Sequence, residues 1–262
     1  MCPAPYAFRL GTSSMFAAFC TALRTLTILP VPGKDTPRFA RSLVFFPVVG
    51  ALLGCLVLGL AETAELIQFE NPAILAIISL AGVTWLTGCL HIDGLGDVAD
   101  AFGAGRTREQ VLHILKDPRM GSFGICAMAF DILLKVRCWQ FFLEQGRWTA
   151  IFWSLVFARS MQGLMILFFP NAREESIATP FGTAGRFDMA AAIFAFLLAG
   201  FIAAYLESPF QAFVYSGCAV IVALFFGLYC WRRIGGITGD CIGATNELVE
   251  IGVLLGGILF LN

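Results

Sequence analysis

The feature that most constrains this chain is a succession of long apolar stretches, with charges confined to the gaps between them. A helix crossing a bilayer needs about 20 mostly apolar residues, because in hydrocarbon a segment must satisfy its own backbone polar groups. Seven stretches meet that need, at roughly 43–61, 72–90, 123–143, 149–169, 188–206, 210–231 and 247–261, the last at the lower limit of length. Ahead of them, Phe16 to Leu29 reads as a helix lying in the interface, carrying Arg24 and ending at Pro30-Val31-Pro32. Composition argues against a soluble alternative. Hydrophobic residues make up 58% and charged residues 13%, whereas a soluble domain carries about 45–50% and about 25%. Mean hydropathy is +0.82. The expected fold is all-α: a polytopic membrane bundle of about seven transmembrane helices plus an N-terminal interfacial helix. It forms one domain over 1–262, with no repeat or linker.

Lysine and arginine are distributed unevenly. Arg9, Arg24, Lys34, Arg38 and Arg41 precede the first span, and Arg106, Arg108, Lys116 and Arg119 follow the second. Arg173 and Arg186 follow the fourth, and Arg232 and Arg233 the sixth; the intervening loops hold only Arg147. Positive residues stay cytoplasmic, which places the N-terminus inside and the C-terminus outside. The net charge of −1 gives no field to attract nucleic acid. The nine cysteines form no C-x-x-C pair and mostly fall in apolar runs, so neither a disulfide framework nor a zinc site is expected. No signal-peptide pattern opens the chain.

The chemistry collects after the second span. Asp93, Asp97 and Asp100 are spaced i, i+4, i+7, which puts three carboxylates on one helical face. Like charges so placed repel unless a cation neutralises them. A hard divalent ion such as Mg²⁺, bound between carboxylates and substrate phosphate, is the simplest answer. The bland alternative is a solvated acidic face whose aspartates cap a helix N-terminus. His91 reads equally as a hydrogen-bonded histidine or a general base. Further on, Lys116 and Arg119 suit phosphate held between metal and guanidinium; alone they would be membrane-flanking cations. His113 is given no role.

These residues, in this order, resemble the cobalamin synthase family, the adenosylcobinamide-GDP ribazoletransferases. The resemblance starts with Leu23-Arg24-Thr25-Leu26-Thr27-Ile28-Leu29-Pro30 and Phe46-Pro47-Val48-Val49-Gly50. It centres on His91-Ile92-Asp93-Gly94-Leu95-Gly96-Asp97-Val98-Ala99-Asp100, followed by Lys116-Asp117-Pro118-Arg119-Met120-Gly121-Ser122-Phe123-Gly124. A second signature runs from Gly235 through Gly239-Asp240 to Asn246-Glu247. Pro118 stands where a small polar residue is expected. The resemblance implies a Mg²⁺-dependent transferase of the bacterial inner membrane, and the lysine and arginine distribution puts both signatures on the cytoplasmic side. In that reaction the 3′-hydroxyl of α-ribazole, or of its 5′-phosphate, attacks adenosylcobinamide-GDP and GMP leaves. It implies Asp93, Asp97 and Asp100 as metal ligands, one of these acids or His91 as the base, and Lys116 and Arg119 on the diphosphate. Asp240, Asn246 and Glu247 become metal or substrate contacts, or caps and packing residues at the start of the last span.

Three ionisable sites fall inside spans. Asp131 and Lys135 are i, i+4 and can pair, Arg137 lies nearer the outer end, and Arg159 lies near mid-depth. Charge at that depth is costly without a partner or a cavity; a structural pair of Asp131 with Lys135 or Arg159 explains these sites as well as a substrate cavity does, and Arg159, if unpaired, is the better candidate phosphate ligand. Prenyltransferases and CDP-alcohol phosphotransferases also use aspartates and Mg²⁺, but with other spacings. A transporter would commonly show paired repeats, and none is found. A homo-oligomer is compatible with the sequence.

Overall fold

The computed structural model describes residues 15–173 and 184–261; Cys2, Arg9 and Asn262 lie outside the described residues. Among the described residues ten α-helices follow one another: α1 Met15–Leu26, α2 Phe46–Leu66, α3 Pro72–Leu86, α4 Leu90–Ala104, α5 Arg108–Ile114, α6 Ser122–Glu144, α7 Thr149–Phe168, α8 Arg186–Leu206, α9 Pro209–Ile234 and α10 Gly239–Phe260. A 3-10 helix, Phe39–Phe45, leads into α2. Local chemistry sets many of the boundaries. Asn71 caps α3 and Ser208 caps α9, each just before a proline whose missing N–H costs nothing in a first turn. Gly235, at φ +77°, ends α9 in the left-handed conformation that glycine adopts freely.

The apolar stretches become α2, α3 and α6–α10. Five of the helices, counting the 3-10 turn with α2, are long and apolar enough to cross a bilayer: α2, α7, α8, α9 and α10. A sixth span arises only if α3 and α4 are joined across an 86° bend. That bend turns α4 across one end of the bundle, and we read α4 as outside the spanning segments. α6 has the length, at 23 residues, but carries Asp131, Lys135, Arg137 and Glu144. The last span is longer than the sequence suggests. Thr238 accepts from the Cys241 N–H, so Gly239–Glu247 forms the first two turns of α10 instead of a loop before it.

α7 and α10 form the centre, with 72% and 61% of their apolar windows buried, and α8 lies at the edge with 17%. α2 can press against α7 because Gly50 and Gly54 are spaced as in small-residue membrane interfaces. A Cβ on Gly50 would stand 2.5 Å from the Leu155 carbonyl oxygen. Phe201, Phe213, Phe225 and Leu259 point outward. A surface that apolar needs lipid to cover it.

Arginines of α5, of α9 and of the segment after α7 meet at one end. Arg108 donates to the carbonyls of Ile234 and Ala172, Arg173 to that of Leu112, and Arg233 to those of Phe102 and Gly105. Several of these are the orphan carbonyls of helix C-termini, where a guanidinium is doubly favoured by hydrogen bonding and the helix dipole. Residues 170–172 and 237 add a short parallel bridge. Arg147 lies at the opposite end, donating to Leu261. The charge asymmetry of the sequence is therefore a real separation in space.

Candidate active site

Gly88 and Cys89, at φ +61° and +56°, make the left-handed turn that swings α4 out of the line of α3. α4 then crosses the start of α10, and two glycines allow the approach. A Cβ on Gly94 would lie 2.8 Å from the Asp240 carbonyl oxygen, and one on Gly243 would lie 3.3 Å from His91 backbone atoms. The two signatures are thus in direct contact, 146 positions apart between Gly94 and Asp240.

On the acidic face, Asp93 is exposed, Asp97 half-buried and Asp100 buried. Asp100 is spoken for: its oxygens accept the Gly121 N–H at 2.6 Å and the Gly124 N–H at 2.9 Å. It caps α6 from a different helix, since Gly121 has no side chain to do so. This explains the glycines of the Gly121-Ser122-Phe123-Gly124 element, because a Cβ on Gly124 would meet Asp100 Oδ2 at 2.5 Å. Asp93 and Asp97 have no ion-pair partner among the described residues. Burial pushes the Asp97 carboxyl up to about 6, and the charges of Asp93, Asp240 and Asp100 add to the shift. Among the described residues, no three His, Cys, Asp or Glu side chains stand together as a ready metal cage.

Beside the acids, between α1, α4, α7 and α10, lies a cleft of about 180 Å³. Leu26, Phe46, Leu90, Ile166 and Ile242 make it apolar, Asp93 and Asp240 join it to the acidic face, and His91 and Gln162 also line it. His91 is 2% exposed. Burial pushes its imidazole down to about 3, with Arg159 adding to the effect, so it is neutral.

Deeper in the bundle, other sequence candidates form a buried ionic network. Lys135 bonds Glu247, and its Nζ lies 2.7 Å from Glu250 and 3.5 Å from Asp131. Arg159 pairs with Glu250, and the Asn246 amide donates to Glu250 at 2.8 Å and Glu247 at 3.0 Å. Of the two readings of Arg159 the structure shows the paired one, with Glu250 in place of Asp131 as its carboxylate and 1% of the side chain exposed. Asn246 and Glu247 also sit inside this network, away from the Asp93–Asp240 opening. Lys116 and Arg119 lie on the loop that leads to Gly121. Arg119 is exposed and donates to Asp117 at 2.6 Å, which holds the Asp117 carboxyl down at about 2.

Sequence reasoning missed Glu250 and Gln162. Glu250 could have been found from its i, i+3 and i, i+4 spacing to Glu247 and Asn246 inside an apolar run, which puts three polar groups on one buried face. Gln162 carries no comparable signal.

Fold and site together define a polytopic helical membrane protein with carboxylates gathered at one end of its bundle. Comparison with known proteins narrows this class. Residues 18–258 match the family model described as cobalamin-5-phosphate synthase. An adenosylcobinamide-GDP ribazoletransferase of Chlorobium chlorochromatii is 39% identical over 95% of this chain and 98% of its own. The protein of that name from Chlorobaculum tepidum is 40% identical over 95% and 97%, and that from Geotalea daltonii 33% over 90% and 95%. No solved structure matches the chain. The chain belongs to the cobalamin-5-phosphate synthase family.

Proposed function

We propose that this protein transfers the phospho-cobinamide group of adenosylcobinamide-GDP to the 3′-hydroxyl of α-ribazole or its 5′-phosphate. The hydroxyl oxygen forms the new bond to the cobinamide-side phosphorus, the bond to GMP breaks, and the hydroxyl proton passes to a carboxylate. Family membership supplies the substrates. The observation that carries the site is the crossing at Gly94, which sets Asp93 and Asp97 beside Asp240 and the mouth of one cleft.

The residues fit a magnesium ion. Mg²⁺ takes one or two carboxylates and completes its octahedron with water and substrate phosphate, so a protein cage is not needed. Asp93 and Asp97 are the ligands of choice, being the carboxylates of α4 whose oxygens no backbone N–H occupies; their mutual repulsion, shared with Asp240, favours a cation. Bound there, Mg²⁺ would neutralise charge on the diphosphate. Asp100 positions α6 and the Lys116–Arg119 loop beside this face. Asp93, on both the face and the cleft, is placed to take the hydroxyl proton, while neutral His91 shapes the wall.

The charge separation favours a cytoplasmic site in the bacterial inner membrane. The test is turnover: purified protein with adenosylcobinamide-GDP, α-ribazole and Mg²⁺, with GMP and cobalamin followed by chromatography. A well-folded preparation that yields neither product would sink the assignment.

A further inference from the structure

We propose that the cleft between α1, α4, α7 and α10 seats the heterocyclic base of the ribazole substrate, and that Ile166 and Leu90 set which bases fit. This rests on the transferase reading and extends it, assigning one substrate half to one part of the site. Size is the first argument. A cavity of about 150 Å³ is known to take a benzene molecule; at about 180 Å³ this cleft suits one small aromatic base with its sugar outside. A corrin macrocycle is far too large for it.

Polarity separates the two bases that the reaction involves. Guanine carries donors and acceptors along its edge, and each one buried without a partner is costly. A benzimidazole nucleoside has apolar edges and one free ring nitrogen. The lining matches the second: Leu26, Phe46, Leu90, Ile166 and Ile242 are apolar. Gln162 spends its amide N–H on the Ile242 carbonyl at 3.5 Å. Its Oε1 and the Nε2 of His91 are buried without a hydrogen-bond partner among the described residues. Of these two atoms only the His91 Nε2, when it carries the ring proton, can donate to that single ring nitrogen; Gln162 Oε1 only accepts, and the Asp93 and Asp240 carboxylates stand at the polar edge of the cleft.

Placement is the third argument. Asp93 both lines the cleft and stands on the acidic face, so a ribose attached to a base in the cleft emerges beside the acids. The cleft then delivers the attacking hydroxyl, and the diphosphate approaches from the exposed side of α4.

The experiment measures KM for each substrate separately in Ile166→Trp, with Leu90→Trp as a second variant at a more exposed position should the first fail to fold. The expected result is a rise of about tenfold or more in KM for α-ribazole, with KM for adenosylcobinamide-GDP within about twofold of wild type. An unchanged ribazole KM, a rise confined to the corrinoid substrate, or competition by guanosine against ribazole would overturn the assignment. Should wild-type protein show no turnover, the transferase reading fails by itself. Equilibrium dialysis of α-ribazole then still decides: binding to wild type that is lost in the tryptophan variant supports the cleft, and equal or absent binding overturns it.

Discussion

On α4, exposed Asp93 and half-buried Asp97 have other carboxylates as their charged neighbours, and burial, with those charges adding to it, holds Asp97 up near 6. On α10, Glu247 and Glu250 lie in the apolar interior, each bonded to Lys135, with Glu250 also bonded to Arg159. Both groups are acids repeated on one helical face, yet their environments give them opposite work. A carboxylate in lipid survives only when paired, so the interior acids join α6, α7 and α10. At the wetted end of the bundle water can bear the repulsion between unpaired acids, and those acids stay free for a ligand. On the proposed function, unpaired charge marks the chemistry, and paired charge marks the scaffold that holds it.

The sharpest break between the two groups is in activity without loss of fold. Asp97→Asn should lower kcat by about 10²- to 10⁴-fold, the range for removing a positioned catalytic charge. Thermal unfolding should stay at or above the wild-type midpoint, because a repulsive charge is gone. Full turnover at limiting Mg²⁺ would remove Asp97 from the site. Next in size, Lys135→Met should act through the fold. It leaves Glu247, Glu250 and Asp131 facing a single cation, and breaking such a buried group costs about 3–5 kcal/mol. The measurement is a denaturation midpoint in detergent; a variant of normal stability and low activity would move Lys135 into the catalytic group.

Much of this was legible in the sequence. The apolar stretches located the helices, although α3, at 15 residues, is shorter than a span and α6 carries four charges, and the i, i+4, i+7 spacing put Asp93, Asp97 and Asp100 on one face. Depth and partnership were not legible. Arg159 and Glu247 look like substrate ligands on a list of charges, because their neighbours come from α6, α7 and α10 and sequence distance hides them. Asp100 shows the limit most clearly. It shares periodicity with Asp93 and Asp97, but three-dimensional packing gives both its oxygens to Gly121 and Gly124. The glycine element downstream was its partner all along, and spacing alone could not reveal a bond between helices.

Asp100 therefore yields an intermediate prediction. Asp100→Asn keeps one good acceptor for the α6 N-terminus but loses the second and the charge, so it should cost about 1–2 kcal/mol. Because α6 carries Lys135, part of any activity loss should be recovered at lower temperature. Asp97→Asn should show no such recovery. A temperature series on both variants separates a ligand from a clamp.

The smallest effect belongs to Arg119. Its guanidinium is exposed and, among the described residues, paired only with Asp117, two residues away. Such a pair is screened by water and salt, so Arg119→Ala should leave the unfolding midpoint unchanged. Any consequence must then appear in substrate binding. If Arg119 leaves Asp117 for the diphosphate when substrate arrives, KM for adenosylcobinamide-GDP should rise severalfold, KM for ribazole should hold, and the difference from wild type should shrink at high salt. If KM for both substrates holds, Arg119 is a flanking cation of the membrane surface. The diphosphate would then have to be met elsewhere on the same loop, where Lys116 is exposed.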